Sequence, residues 1–179
     1  MPALLETERF ILRNITKADA EGMYLLDSDP EVHRFLGNKP ISSKNEALKT
    51  ISLLEKQYEE IGFGRMAIIS KANDEFIGWA GIKYETKLRA PISYNDIGYR
   101  LRTPFWGLGI ATETAIATLK YGFEQLNLEK ICAAADFNHT ASNKVLKKIG
   151  LIKTDTFCYE NVECNWYELT KEESQNLNL

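Results

Sequence analysis

The 179-residue chain carries 25 Asp and Glu against 22 Lys and Arg, a formal net charge of −3 and 44% hydrophobic residues, proportions that fit one soluble domain with a sizeable core. Its longest aliphatic runs, such as Met66 to Ile69, fall far short of the roughly 20 residues of a bilayer span, and the opening Met1 to Glu6 lacks the basic and apolar regions of a secretory signal. Three cysteines without metal-ligand spacing argue against a disulfide scaffold or a metal site, and the slightly acidic balance argues against a general nucleic-acid binder, so a reduced, cytoplasmic protein is expected.

Arg9 to Arg13 is a short apolar segment bounded by charge and reads as a strand. Thr16, with Asp19 three residues later, opens a helix to about Leu26. Ser43-Lys44-Asn45-Glu46 is a stronger capping box, and Leu48, Ile51, Leu54, Tyr58 and Ile61 follow at helical spacing. Strands are predicted over Arg65–Ser70, Phe76–Tyr84 and Ser93–Leu101, separated by Lys71 to Asp74 and by a polar loop around Arg89-Ala90-Pro91.

A glycine-bearing turn, Trp106 to Ala111, then runs into a helix carrying Ile116, Leu119, Phe123 and Leu126. Gly122 inside that helix costs about 1 kcal/mol relative to Ala, which predicts a close packing contact. A strand over 131–137 and a helix over 141–149, ended by Gly150, come next. Residues 151–169 read as two strands joined at Glu160-Asn161, and Lys171 onward reads as a polar tail that frays. The order predicts an α/β domain whose sheet is mixed and mostly antiparallel, flanked by helices, with a parallel strand pair where a helix crosses over between about 93 and 137.

Glycines before a helix present several N–H groups to one point, where the helix dipole adds positive potential, so the 106–111 turn is a candidate phosphate cradle as well as a tight connection. No Lys-Ser/Thr follows the glycines, which excludes a Walker loop, and the dinucleotide fingerprint lacks one glycine.

Leu5-Glu6-Thr7-Glu8-Arg9-Phe10-Ile11-Leu12-Arg13, Asp29-Pro30-Glu31-Val32, Ile97-Gly98-Tyr99-Arg100-Leu101, Trp106-Gly107-Leu108-Gly109-Ile110-Ala111-Thr112-Glu113 and the 141–150 segment ASNKVLKKIG occur in that order. Together they resemble the GNAT-superfamily N-acetyltransferases over about residues 4–170, and within them the ribosomal-protein N-terminal acetyltransferases, whose loop also begins with tryptophan. The resemblance implies one N-acetyltransferase domain over 1–170, with 171–179 as a tail, and acetyl-CoA as donor without a metal. It places the cofactor diphosphate on the backbone amides of Leu108, Gly109, Ile110 and Ala111 and the start of the following helix, with Trp106, Gly107 and Thr112 also among the cofactor-binding residues. The pantetheine arm would run along the strand ending at Leu101, whose backbone would polarise the thioester carbonyl. The rings of Phe105 and Trp106 are expected to pack in the core.

The family's Asn contact to the cofactor arm falls at His139, with Asn138 beside it, so either residue is a candidate, and Asn143 lies on the same helix. Ser142 is a candidate donor to the leaving thiolate, with first-turn capping as the alternative; Lys144, Lys147 and Lys148 read as a solvated face. Asp96 is the first choice for the base that takes the amine proton, and Glu85 the reserve. No cysteine falls in the cleft motifs, which agrees with direct attack of the amine on the thioester in a ternary complex. The acceptor is expected to be a primary amine. A protein N-terminal α-amino group, a polyamine or an aminoglycoside-like molecule all fit, a non-catalytic acyl-CoA-binding module is the rival, and the chain is expected as a monomer or homodimer with neither nucleic acid nor membrane as partner.

Overall fold

In chain order the elements are β1 (Leu4–Glu6), β2 (Phe10–Asn14), α1 (Ala20–Asp27), α2 (Pro30–His33), α3 (Lys44–Ile61), β3 (Arg65–Ser70), β4 (Phe76–Glu85), β5 (Tyr94–Leu101) and α4 (Ile110–Lys120). They continue with β6 (Lys130–Asp136), α5 (Thr140–Lys148), β7 (Ile152–Tyr159), β8 (Val162–Thr170) and α6 (Lys171–Gln175), in a computed structural model that describes residues 4–177. The strands form one 8-stranded sheet, ordered β1-β2-β3-β4-β5-β6-β8-β7. Every neighbouring pair is antiparallel except β5–β6, which is parallel. The mixed sheet with a central parallel pair is the architecture that the element order implies.

Local chemistry accounts for the boundaries. The Asp19 carboxylate accepts from the Thr16 N–H at 2.8 Å and from both terminal nitrogens of Arg13 at 2.8 Å, clipping the start of the first helical segment to β2. Before α3, Glu46 Oε1 accepts from the Ser42 N–H at 3.1 Å and from the Ser42 and Ser43 hydroxyls, so the capping contact reaches one residue further back than the motif suggests. Glu160 and Asn161 both have positive φ and turn β7 into β8. At Gly122, a Cβ would lie 2.5 Å from Ile82 Cδ1 and 2.7 Å from Ile131 Cδ1, the close contact that its placement in a helix predicts.

Two expectations change. The segment 4–6 forms an edge strand on β2, too short to show a period. Lys171 onward is not a fraying tail at its start: Thr170 and Glu173 form a capping box, Lys171–Gln175 is helical, and Leu177 packs against the central core beside Gly150. The Thr170-x-x-Glu173 spacing is the signal for that turn.

Strand alternation sorts β5 between the two sheet faces. Ile97, Tyr99 and Leu101 meet α4 and α5, in clusters that include Leu119, Leu146 and Ile110. Asp96, Gly98 and Arg100 point to the face covered by α1 and α3, where Met23, Ala47 and Ile51 pack on Ala67 and Ile69.

Candidate active site

The parallel pair supplies the opening. β5 and β6 are in register only at Asp96↔Cys132. Beyond that junction β5 continues along β4 to Gly78↔Leu101, while β6 continues along β8 to Asp136↔Cys164, so the two inner edges splay apart. The Arg102 N–H donates to Ile77 O, and alternation along β5 then turns the N–H groups of Tyr99 and Leu101 away from β4 and into the gap. On the opposite edge, Phe137 N–H donates to Glu163 O, which turns the backbone of Ala134 into the same gap. A sheet interior ordinarily pairs these groups; here they line a wedge able to accept an extended, amide-bearing chain.

At the open end of the wedge lies the glycine turn. Gly107 and Gly109 have φ of +75° and +76°, the left-handed region that favours glycine. Gly109 is the N-cap of α4. The N–H groups of Leu108, Gly109, Ile110, Ala111 and Thr112 have no acceptor among the described residues, and a Cβ at Gly107 would meet nothing within 4 Å. A cluster of free donors on the positive end of an 11-residue helix has the chemistry to hold an anionic group such as a diphosphate. The one acid in the first turn, Glu113, is neutralised by the Arg9 side chain at 2.7 Å. Contrary to expectation, the Trp106 ring is half-exposed; its Nε1 donates to Leu101 O at 2.8 Å and ties the turn to the end of β5. Phe105 joins the core.

α5 forms the far wall. The Tyr99 hydroxyl donates to Ser142 O at 3.0 Å and lies 3.2 Å from Ser142 Oγ, bridging the wedge from β5 to α5. Burial raises the Tyr99 pKa well above its ordinary value, so it remains a phenol. Asn143 is not available to a cofactor. Its amide nitrogen donates to Asp136 O at 2.9 Å and His139 O at 2.8 Å, and its Oδ1 accepts from Asn165 Nδ2 and the Tyr167 hydroxyl, both at 2.7 Å. His139 stacks on Phe35 with ring centroids 4.3 Å apart, and burial lowers its pKa, partly offset by Asp136. Asn138 is exposed, and its side chain makes no hydrogen bond among the described residues.

Neither carboxylate candidate is a free base. Asp96 Oδ2 is ion-paired with the Arg65 guanidinium, which also donates to Asp96 O at 2.8 Å and to Gly81 O. Burial lifts the Asp96 pKa, against the pull of Arg65 and Lys83. Glu85 accepts from the N–H groups of Thr86, Lys87 and Leu88 and pairs with Lys83; burial opposes its ionisation, but these contacts outweigh it and hold the pKa at about 2. It caps the loop after β4. Cys132 does border the wedge, at the junction itself, but it is buried and burial pushes its thiol up to about 12. On the α1 and α3 face, Arg100 donates to Asp27 Oδ1 at 2.6 Å, and both ring nitrogens of buried His33 lack a hydrogen-bond partner.

Residues 9–152 match the family described as Acetyltransferase (GNAT) domain. The chain belongs to the GNAT acetyltransferases. A relative named "Uncharacterized N-acetyltransferase YoaA", from Bacillus subtilis (strain 168), is 32% identical over 174 residues, covering 94% of this chain and 97% of the relative. Among solved structures, ribosomal-protein-S5-alanine acetyltransferase from Vibrio fischeri superposes with a TM-score of 0.76 at 20% identity, covering 95% of this chain and 97% of that one. Spermidine N-acetyltransferase from Vibrio cholerae, in complex with CoA and spermine, superposes with a TM-score of 0.77 at 15% identity, covering 95% and 100%.

As a GNAT member the chain is an acetyl-CoA-dependent N-acetyltransferase. Its free turn amides and free strand edge fit the two halves of that cosubstrate, an anionic diphosphate and an amide-bearing arm. Sequence reasoning missed Arg65 as the partner of Asp96 and Tyr99 as the bridge to Ser142. Both pairings join residues far apart in the chain: sheet register brings Arg65 to Asp96, and the packing of α5 on the sheet brings Ser142 to Tyr99. Among the described residues no helix is long and apolar enough to cross a membrane, and no cluster of ligating side chains could hold a metal ion.

Proposed function

We propose that this GNAT enzyme transfers acetyl directly from acetyl-CoA to a primary amine held with it in one complex. The observation that carries the reading is the wedge: its free Tyr99 and Leu101 amides lead straight to the free amides of the α4 turn. The turn amides would hold the diphosphate, and the β5 edge would pair with the arm as an added strand. With acetyl-CoA bound, the Leu101 N–H would stabilise the negative charge that forms on the thioester oxygen. Acetyl-CoA supplies the acyl group as a thioester.

The amine nitrogen forms a bond to the acyl carbon, the carbon–sulfur bond breaks with its electron pair on sulfur, and the nitrogen loses a proton to solvent. The Ser142 hydroxyl, held 3.2 Å from Tyr99 Oη, donates a hydrogen bond to the departing sulfur. A thiol with an ordinary pKa near 8.5 needs little more assistance to leave. Asn138, the exposed member of the Asn138–His139 pair, would contact the arm. The Cys132 thiol, pushed up to about 12 by burial, is a poor nucleophile, so this cysteine at the junction is not suited to carry an acyl group and direct transfer is the simpler course.

An N-terminal α-amino group, with an ordinary pKa near 8, is partly neutral at pH 7 and needs no strong base, which suits a cleft whose carboxylates are already paired. A small-molecule amine is the second reading, and the spermidine N-acetyltransferase that shares this fold is named for such an acceptor. Initial-rate measurements with α-amino peptides, polyamines and aminoglycosides test the proposal. Intersecting double-reciprocal lines and stoichiometric thiol release are expected. Parallel lines would sink direct transfer, and acetyl-CoA binding without thiol release from any amine would make the chain a binding module.

A further inference from the structure

The turn between β1 and β2 reaches the start of α4. Thr7 N–H donates to Phe10 O at 2.9 Å and Phe10 N–H to the Thr7 hydroxyl at 3.0 Å. From the neighbouring strand connection, Lys71 N–H donates to Arg9 O at 3.0 Å and Lys71 Nζ to Thr7 O at 2.7 Å. The turn is thus fixed from both sides, and Arg9 at its end crosses to α4. Its backbone N–H and its Nε donate to the two carboxylate oxygens of Glu113, at 3.1 Å and 2.7 Å. Burial opposes the ionisation of Glu113, but contacts from Thr7 and Arg9 outweigh it and hold its pKa below the ordinary value, so the pair is ionic.

The rest of the guanidinium is free. The N–H bonds on Nη1 and Nη2 have no acceptor among the described residues, and the side chain is 45% exposed. Nη2 lies 3.7 Å from the position that a Cβ would take at Gly109, the N-cap of α4. That position and the Gly109 amide nitrogen share one Cα, which puts Nη2 within about 6 Å of the amide. A phosphoryl group with hydrogen bonds of about 2.9 Å on either side spans that gap. Amides hold an anion by partial charge, whereas a guanidinium adds a full charge and a planar fork. Glu113 has two effects. Alone in the first turn of α4 it would repel an anion bound there; its grip on Arg9 cancels that repulsion and holds the cation at the cradle.

We propose that Arg9 is a cosubstrate-binding residue: its guanidinium, held by Glu113, donates to the acetyl-CoA diphosphate beside the free amides of the α4 turn. This role rests on the reading of that turn as the diphosphate site. It gives the short edge strand β1 a part in binding, since pairing with β2 closes the turn that carries Arg9.

Calorimetric titration of the full chain with acetyl-CoA, CoA and 3′-dephospho-CoA tests it without turnover. Arg9→Gln should raise the Kd of each at least about tenfold. Glu113→Gln should leave the Kd unchanged or lower it, because the cation then faces the diphosphate without a competing carboxylate. A purely structural clip gives another pattern: both substitutions break the same ion pair, so both weaken binding equally or neither does. The decline of affinity with salt should also be shallower in Arg9→Gln. Arg9→Lys, whose ammonium still meets Glu113 but lacks the fork, serves if Arg9→Gln fails to fold, and should lose at least about threefold. Equal losses in the two Gln variants, or unchanged affinity in folded Arg9→Gln, overturn the proposal. So does a loss seen with CoA and absent with 3′-dephospho-CoA, which would assign Arg9 to the ribose 3′-phosphate. Gly109→Glu separates the two readings. If it binds acetyl-CoA normally, the turn is not the diphosphate site and the role of Arg9 falls with it; if it loses binding while Arg9→Gln keeps it, Arg9 alone is removed.

Discussion

Asn143→Ala separates a cofactor ligand from a structural hub. In the folded chain the Asn143 amide satisfies two buried donors, the Tyr167 hydroxyl and Asn165 Nδ2, each at 2.7 Å. It also donates to Asp136 O and His139 O, but those carbonyls keep other partners, the N–H groups of His139 and Asn143 itself. The cost of truncation therefore falls on the two orphaned donors. Each costs about 1–3 kcal/mol when buried and unpaired, giving a loss of roughly 2–6 kcal/mol. For a domain of this size that lowers the melting temperature by about 4–24 °C. Denaturant unfolding measures the first figure and calorimetry the second. Acetyl-CoA affinity, measured below the new transition, should change less than about threefold. In a double-mutant cycle, Tyr167→Phe should couple to Asn143→Ala by about 1–2 kcal/mol, because removing both partners leaves one donor fewer unsatisfied. A variant as stable as the original chain but tenfold weaker in binding acetyl-CoA would refute this account and return Asn143 to the cofactor site.

The remaining predictions concern the turn, the buried ion pair and a buried imidazole. Gly109→Glu should raise the acetyl-CoA Kd by more than about 100-fold, since a carboxylate would stand beside the diphosphate; an energetic cost of about 1–2 kcal/mol for a non-glycine residue at φ +76° should leave the chain folded by circular dichroism. Wild-type affinity in that variant would remove the turn as the phosphate site. Asp96→Asn leaves the Arg65 guanidinium buried without its counter-charge and should cost about 3–5 kcal/mol in urea unfolding. If it instead leaves stability intact and removes only one limb of the pH profile of kcat, Asp96 is the base after all. For His33, burial and Arg100 hold the folded pKa below 6.5, with Asp27 opposing. As pH falls below 6.5 the unfolded chain takes up the proton first, so stability that is complete above 6.5 declines toward the folded pKa. His33→Leu should flatten that acid limb in pH-dependent melting curves; an unchanged limb would mean that another group carries it.

Much of the fold was legible before any coordinates. Apolar spacing marks α3 and β3, capping pairs mark the starts of the helical segments near Thr16 and Ser43, and the glycine turn precedes α4 as its composition suggests. The turn shows in sequence because it depends on neighbouring residues: left-handed glycines and a following helix are local facts. The pairings of the carboxylate candidates were not legible, for the opposite reason. Asp96 and Glu85 carry the right functional group, but their protonation depends on Arg65, 31 positions away, and on the loop N–H groups that Glu85 caps. No periodicity encodes those pairings.

The sequence by itself determined the order of the longer elements, the crossover between β5 and β6 and the glycine-bearing helix start, since each follows from backbone preference and short-range apolar pattern. Tertiary structure alone decided that β5 and β6 meet at a single register point and then part. It also placed Tyr99 against Ser142, Arg65 against Asp96 and Arg89 between two aromatic rings. The physical reason is that sheet register and side-chain pairing are settled by packing between segments distant in the chain, where many residues must agree at once. A wedge with unpaired backbone exists because the rest of the sheet and the two helical layers hold its walls apart.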